Sequence, residues 1–445
     1  MASEKDQACG SDKGNLKWWQ LSLLGVGCII GTGFFLGSGI GLKKAGPSIL
    51  LAFLVAAFAT YVVFDALARL TAEHPEKGSF FVYAKHAYGN WAGFSNGWVY
   101  WSSETLIMGS QLTALGLFTR YWLPHMPLWL MATIYAVLGL LVVFLGTKGF
   151  EKVENVMAVI KILGILMFIV IAALALFGVF GNHGKRPDVT MDYQSLFPTG
   201  MTGLWASLIY AFYTFGGIEI MGLMATNLKE PKDGPKAGKI MLMLLAIIYV
   251  ISVGLAILLV SWTTFNTKES PFVIALSDYH LAFVPHVFNG ILIIAGFSTM
   301  VASLFAVTNI LATLSENGDA PIFFSKKTKF KVSVPSLGVT AGGLAVSIVL
   351  SLLLPDKIYE HITTAAGLML LYTWMFILFS FNKLMKLKSW DKFKRWIGLL
   401  FILLAISGTL LEKSSRPGFF ISLGFLSAIA IATLIMRRKW KTNES

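Results

Sequence analysis

Charge is scarce in this 445-residue chain: Asp, Glu, Lys and Arg make up 13% of it. A soluble domain carries roughly 25%, so the charges are too few to give a chain of this length a water-facing surface. Cysteine is scarcer still. Cys9 sits in a polar leader and Cys28 in the first apolar run, and no disulfide framework joins such different surroundings. The leader, Met1 to Asn15, has no apolar core followed by a small-residue cleavage site, which argues against a secretory signal. Strand-like alternation is missing from the apolar runs, which argues against a barrel. The 7 histidines, at 74, 86, 125, 183, 280, 286 and 361, fall in loops or near helix ends. They form no metal-ligand set and no histidine–nucleophile arrangement at membrane depth. The run GVGCIIG is glycine-rich, but no strand precedes it, so it is not a dinucleotide loop. The expectation is a non-enzyme with no metal and no organic cofactor.

What is present is apolar. Hydrophobic residues make up 56% of the chain, in runs long enough to cross the ~30 Å hydrocarbon layer as helices. The runs predict helices over 17–45, 47–71, 91–122, 127–146, 153–178, 199–225, 239–262, 286–316, 335–354, 358–383, 391–412 and 417–436. Closed barrels apart, only helices satisfy their own backbone hydrogen bonds in lipid. The expected fold is therefore all-α and polytopic, with about twelve transmembrane helices and membrane lipid as its main contact.

With the amino terminus cytoplasmic, 26 Lys and Arg residues fall inside and 9 outside, and Lys161 lies within a helix. The inside cations include Lys77, Lys85, Lys148, Lys152, the lysines from Lys229 to Lys239, those from Lys326 to Lys331, the cluster from Lys383 to Arg395 and the tail from Arg437 to Lys439. That bias predicts cytoplasmic termini. It also accounts for the net charge of +13 as a topology signal, with no nucleic acid partner required.

Two helices read poorly as continuous rods. The first contains GVGCIIGTGFFLGSGIG, and the sixth contains YAFYTFGGIEIMG with Gly216-Gly217 in mid-membrane. Each glycine weakens a helix by ~1 kcal/mol relative to alanine. Gly33, Gly37 and Gly41, four apart, would also suit close helix packing. The breaks fall in segments one and six, the equivalent places if a five-helix unit repeats in inverted orientation. Paired interrupted helices point to a transporter binding site. Exposed N–H groups at one half-helix end suit a carboxylate, and exposed carbonyls suit an ammonium. A zwitterionic amino acid offers both.

The stretches IIGTGFFLGSGIGLKKAGPSILLAF and HPEKGSFFVYAKHAYGNWAGFSNGWVYW carry a family resemblance. So do GTKGFEKVENVMAVIKI, FGGIE with the NLKEPKDGPKA loop after it, SPFV at 270–273 and SENGDAP at 315–321. In this order they resemble the bacterial amino acid permeases of the amino acid–polyamine–organocation superfamily. The match spans residues ~17 to ~321; beyond that it rests on hydropathy and length. The resemblance implies a leucine-transporter-type fold: a leader (1–16), two inverted five-helix repeats (17–178 and 199–383), two accessory helices (391–436) and a tail (437–445). It implies secondary transport in the bacterial cytoplasmic membrane, commonly proton-coupled, with sodium the less favoured ion and no obligatory protein partner. It implies that backbone at Gly31, Thr32 and Gly33 binds the substrate carboxylate, that carbonyls at Phe215, Gly216 and Gly217 hold the amine, and that Tyr213 is an aromatic gate.

Ionisable residues at membrane depth are costly and are functional candidates. Lys161 is too far from either helix end to snorkel easily. In similar permeases a lysine here takes the place of a sodium ion, beside helices 1 and 8. Desolvation would let it lose and regain a proton, with Ser298 and Thr299 as the expected hydroxyl neighbours. Glu219 follows the sixth-helix break by two residues and is either a second proton carrier or a hydrogen-bond acceptor for unwound backbone. Aligning Tyr100-Trp101 with the family pattern places Glu104 on a pocket-facing stripe with Met108 and Gln111. Related permeases often carry tryptophan or a small residue at 104 and glutamate near 111, so this chain departs from them. Glu104 would read a cationic side chain (lysine, arginine or ornithine), or it is protonated or paired with Lys161 and the substrate is neutral. The remaining lining, Tyr213, Phe215, Ile218, Met108 and Phe297, is apolar or aromatic, which favours a neutral, hydrophobic substrate. Asp65 and Arg69, four apart, predict a structural helix-surface ion pair. Thr363, Thr364 and Trp374 are either outer vestibule or core, with core preferred for Trp374. A non-transporting sensor of the same fold is the competing class; such sensors usually carry a long cytoplasmic extension, and the short leader and tail count against it.

Overall fold

The computed structural model describes residues 16–76, 78–180, 192–225, 228–277, 279, 281, 283–326, 333–353 and 358–444. Cys9 with the rest of the leader, Lys77, His183, His280, Lys327, Lys329 and Lys331 lie outside the described residues. The first spanning segment is built in pieces: α1 (Trp18–Ile29), a π-helical turn (Gly33–Gly37) and α2 (Ser38–Ala45). The chain returns through α3 (Ile49–Glu73), runs along the short α4 (Phe80–Tyr88), then crosses as α5 (Asn90–Thr119), α6 (Leu128–Phe144) and α7 (Gly146–Leu176). After the single turn α8 (Tyr193–Leu196), the sixth segment is again split, into α9 (Gly200–Tyr213) and α10 (Ile218–Met224). Then come α11 (Gly234–Leu259), the short α12 (Pro271–Ser277), α13 (Val284–Glu316), α14 (Val334–Leu353) and α15 (Ile358–Leu384). α16 (Ser389–Gly408) and α17 (Arg416–Glu444) close the chain. Among the described residues, 6 spans are individually long and apolar enough to cross a membrane, and the protein is an integral membrane protein.

Five crossings leave the chain on the opposite face, so a second five-helix unit must enter inverted. The packing follows that symmetry pair by pair. α3 on α9 is answered by α11 on α1, and α5 on α15 by α13 on α7. α5 on α6 is answered by α13 on α14, and α3 on α15 by α11 on α7. Even the short helices correspond, α4 packing on α5 as α12 packs on α13. The central pairs α3–α11 and α5–α13 lie on the pseudo-two-fold itself.

The expected spans recur with shifted ends. α7 begins at Gly146 rather than 153, because its first two turns carry charged residues that hydropathy discounts but that are good helix formers. α17 runs past 436 to Glu444 for the same reason, with Arg437, Arg438 and Lys439 near the carboxyl end of its dipole. α4 is not among the expected spans; Gly89, at φ 91°, separates it from α5, a conformation that only glycine adopts without strain. The Asp65–Arg69 pair is present at 3.6 Å and belongs to a larger cluster, with Arg69 3.1 Å from Asp391 and Lys394 3.7 Å from Asp65. These charges pin the start of α16 to α3.

Candidate substrate and coupling site

The first break opens at Ile30, whose backbone is extended (ψ 113°) where a helix would need a negative ψ. Helical bonding resumes with the amides of Phe34 and Phe35, which both donate to the Gly31 carbonyl at 3.0 Å. The N–H groups of Gly31, Thr32 and Gly33 have no backbone acceptor among the described residues. Three successive free donors at the start of a helical segment are suited to an anion. The Thr32 hydroxyl is also buried without a partner, while its carbonyl accepts from the Tyr359 hydroxyl at 3.1 Å.

The second break is a turn through Thr214–Gly217. Gly217 holds φ 108°, a value that L side chains rarely adopt. Its N–H donates to Glu219 Oε2 at 3.2 Å, and the Tyr249 hydroxyl donates to the Thr214 carbonyl at 2.9 Å. The carbonyls of Phe215 and Gly216 accept no backbone bond among the described residues, and so are free for a cation. The two breaks face each other. A Cβ on Gly33 would stand 3.1 Å from the Tyr213 ring, and the Tyr213 hydroxyl is 2.6 Å from Ser110 Oγ on α5. Free amides on one side and free carbonyls on the other thus flank a buried aromatic.

α13 crosses behind the first break. A Cβ on Gly31 would lie 2.7 Å from Thr299 Oγ1, and one on Gly296 2.7 Å from the Thr32 methyl. Gly31 is therefore also a packing glycine. Thr299 bonds its own helix, donating to the Ala295 and Gly296 carbonyls. Ser298, its neighbour, faces α7.

Lys161 is fully buried. Its Nζ donates to Ser298 Oγ at 2.7 Å and lies 3.4 Å from Glu154 Oε1. Ser298 Oγ in turn stands 2.8 and 2.7 Å from the two Glu154 oxygens, and Cys28 Sγ is 3.9 Å from Oε1. The expected alternative of a Glu104–Lys161 pair is corrected here: the buried carboxylate beside Lys161 is Glu154. Sequence reasoning misses Glu154, although the signal is there. Residues seven apart share a helix face, and long side chains lean toward the helix amino terminus, so Lys161 reaches back to Glu154.

Glu104 instead lies beside Tyr100 on its own helix and Ser303 on α13, and its Oε2 is buried with no hydrogen-bond partner. The stripe expected around it divides. Met108 packs in one cluster with Leu112, Met300 and Val301, and Phe297 lies against that group. On α5, Ser110 meets the Tyr213 hydroxyl, and Ile107 belongs to the same apolar cluster as Tyr213. Gln111 is buried, with its Oε1 unpartnered. The Phe215 ring packs on Tyr249 at 5.1 Å between centroids, so its contribution to the site is its carbonyl, and Ile218 is core.

Glu219 accepts from the Gly217 amide and from the Trp374 indole N–H on α15. It fastens the second break to α15, and Trp374 is core. Thr364 is 3.0 Å from the Tyr210 hydroxyl, and Thr363 is buried with its hydroxyl unpartnered.

One ionic group has no sequence signal. Lys44, at the end of α2, lies 2.9 Å from Glu360 at the start of α15 and 3.8 Å from Glu412, and its Nζ donates to Ser414 Oγ at 2.6 Å. The Tyr210 hydroxyl of α9 donates to the same Glu360 at 3.2 Å. Both broken segments are thereby tied to α15 at the end of the molecule where α2 terminates.

Comparison with known proteins agrees with this architecture. The amino acid permease family model matches residues 20–440. The transporter YcgH of Bacillus subtilis (strain 168) is 59% identical over 440 residues, covering 98% of this chain and 97% of the relative. The aromatic amino acid transport protein AroP of Escherichia coli (strain K12) is 28% identical over 380 residues, covering 85% and 83%. The amino acid permease YtnA of Bacillus subtilis (strain 168) is 28% identical over 363 residues, covering 81% and 78%. A split helix in each half, facing across a buried tyrosine, and a family match over nearly the whole length lead to one assignment: the chain belongs to the amino acid permease family of the amino acid–polyamine–organocation superfamily.

Proposed function

We propose that this permease is a proton-coupled secondary transporter of a neutral, hydrophobic amino acid, working by alternating access in a bacterial cytoplasmic membrane with both termini cytoplasmic. One observation carries the reading: the free N–H groups of Gly31, Thr32 and Gly33 and the free carbonyls of Phe215 and Gly216 belong to two helix breaks that meet at Tyr213. The donors match a carboxylate and the carbonyls an ammonium. Such a site takes the part common to every α-amino acid, and neighbouring side chains choose among them. Ile107 and Tyr213 favour an apolar side chain, in keeping with the relative AroP, an aromatic amino acid transport protein. The buried Lys161 gives the transport cycle a group that can exchange a proton.

A second reading is favoured by Glu104. Its unpartnered oxygen and its separation from Lys161 leave a buried carboxylate that a cationic side chain would satisfy. The experiment that decides is uptake of radiolabelled phenylalanine, leucine and lysine into proteoliposomes, with and without an inside-alkaline pH gradient. The proposal expects leucine or phenylalanine to outcompete lysine in wild type and in Glu104→Gln, and a protonophore to abolish accumulation. Preference for lysine that disappears in Glu104→Gln would overturn the substrate assignment. Accumulation indifferent to protonophore would overturn the coupling.

A further inference from the structure

Resting on the proton-coupled reading, we propose that Glu154 takes the coupling proton from Lys161, through the Ser298 hydroxyl, and delivers it to the cytoplasm. The chain of contacts has a direction. The Lys161 ammonium has only donors, so at 2.7 Å it must donate to Ser298 Oγ. Ser298 is then left to donate its own hydrogen to Glu154, whose oxygens stand 2.8 and 2.7 Å away. Transfer is a two-bond shift. An N–H bond of Lys161 breaks as its proton joins Ser298 Oγ, and the Ser298 O–H proton passes to the Glu154 carboxylate. Ammonium and carboxylate become amine and carboxylic acid, and the pair is neutral overall before and after.

Position gives the relay its sense. The backbone of Glu154 lies seven residues before that of Lys161, about 10 Å nearer the amino-terminal end of α7, which faces the cytoplasm in the proposed topology, while the two head groups meet at 3.4 Å. The Lys161 side chain is sealed at 0% exposure, whereas that of Glu154 retains 7%. Around Glu154, α1 contributes Cys28 and α13 contributes Ser298; α6 and α11 bring no charged side chain within ion-pair distance among the described residues. Release of the Glu154 proton to water leaves amine and carboxylate, and the next proton recharges Lys161 from the outer side.

The test uses proteoliposomes holding Glu154→Gln, Ser298→Ala and Lys161→Ala, with three readouts: gradient-driven accumulation, exchange of labelled for unlabelled substrate at equal pH, and substrate-induced proton flux followed by an internal pH dye. The amide in Glu154→Gln keeps an acceptor but cannot take the proton, so accumulation and proton flux should fall by at least about tenfold. Exchange, which needs no net proton movement, should stay within about twofold. Ser298→Ala keeps both charges and should slow proton flux by about fivefold or more. Wild-type proton flux in either variant overturns the relay. Loss of exchange together with accumulation in Glu154→Gln would make Glu154 a structural counter-charge and overturns it equally. The parent reading fails separately, by normal accumulation in Lys161→Ala. Failure of Lys161→Ala beside normal Glu154→Gln leaves coupling standing and removes only the relay.

Discussion

Lys44 ties four elements together, and its loss should open the end of the transporter where α2 terminates. Its partners are Glu360 of α15 at 2.9 Å, Ser414 at 2.6 Å and Glu412 at 3.8 Å, the last two in the α16–α17 connection. α9 joins through Tyr210, which shares Glu360. α2 follows the first break and α9 precedes the second, so in the proposed alternating access motion about the breaks would separate both from α15 and strain every one of these contacts at once. The Lys44 and Glu360 side chains are only 10% and 16% exposed. Breaking a fully buried pair by removing one partner costs about 3–5 kcal/mol. Glu360 keeps the Tyr210 hydroxyl as a donor and gains water on opening, so the closed state should lose about 2 kcal/mol, a shift of about thirtyfold in the conformational equilibrium.

The assay is alkylation from that side. The chain has 2 cysteines, Cys9 and Cys28, and a background lacking both can carry a single reporter at Thr363, one turn deeper than Glu360. Lys44→Met should raise the rate at which a membrane-impermeant maleimide reaches that reporter by about tenfold or more, and excess substrate should lower it again. An unchanged labelling rate in a protein that still binds substrate would mean that the ion pair decorates the surface and does not hold it shut.

Two further perturbations address the breaks. Gly33→Leu must displace the Tyr213 ring, 3.1 Å from the added Cβ, and should abolish substrate-induced thermal stabilisation at normal expression; unchanged affinity would reduce the glycines to packing. Gly217→Ala meets only Ile29, at an ordinary 3.4 Å, so its penalty is conformational. At φ 108° it should cost about 1–3 kcal/mol of stability, read as a lower melting temperature, and a neutral result would show that the turn can flip.

The sequence made the helical spans and their ends roughly legible because lipid forces a simple rule, apolar runs as helices. Both breaks were legible too, since glycines concentrate where backbone must leave the helix. Facing was harder. On α5, the choice between the stripe of Glu104 and Met108 and that of Ile107 and Ser110 is one of about 100° of rotation, and nearly every residue there is uncharged on all sides. Hydropathy therefore gave no means of telling that Met108 belongs with Met300 and Val301, while Ser110 meets Tyr213. Glu154 is visible as an i, i+7 partner of Lys161, but it stands at the edge of the apolar run, where hydropathy reads a helix end rather than a buried site. The Lys44–Glu360 contact joins residues 316 positions apart at two helix ends, and only the fold brings them together.

On the proposed function, the buried charges would also separate recognition from coupling. Lys161 and Glu154 neutralise each other and share one hydroxyl. Glu219 has a donor on each oxygen, one from the break it stabilises and one from α15. Glu104 alone of these carboxyl groups keeps an oxygen without a donor, and it lies on the α5–α13 side with Tyr100 and Ser303. A buried group of this kind is costly unless something arrives to satisfy it, and of the three it is therefore the one with capacity left for a ligand. Substrate charge would then be read at Glu104 while the coupling proton moves between Lys161 and Glu154. The separation has a consequence that either carboxylate can refute. Glu104→Gln should change how strongly cationic competitors bind relative to neutral ones, leucine and phenylalanine still ahead of lysine, with the proton gradient still effective, and Glu154→Gln should leave those relative affinities intact while the gradient loses its effect. If both substitutions altered relative affinities and gradient dependence together, the carboxyl groups would form one coupled site, and the division drawn from their hydrogen bonds would be wrong.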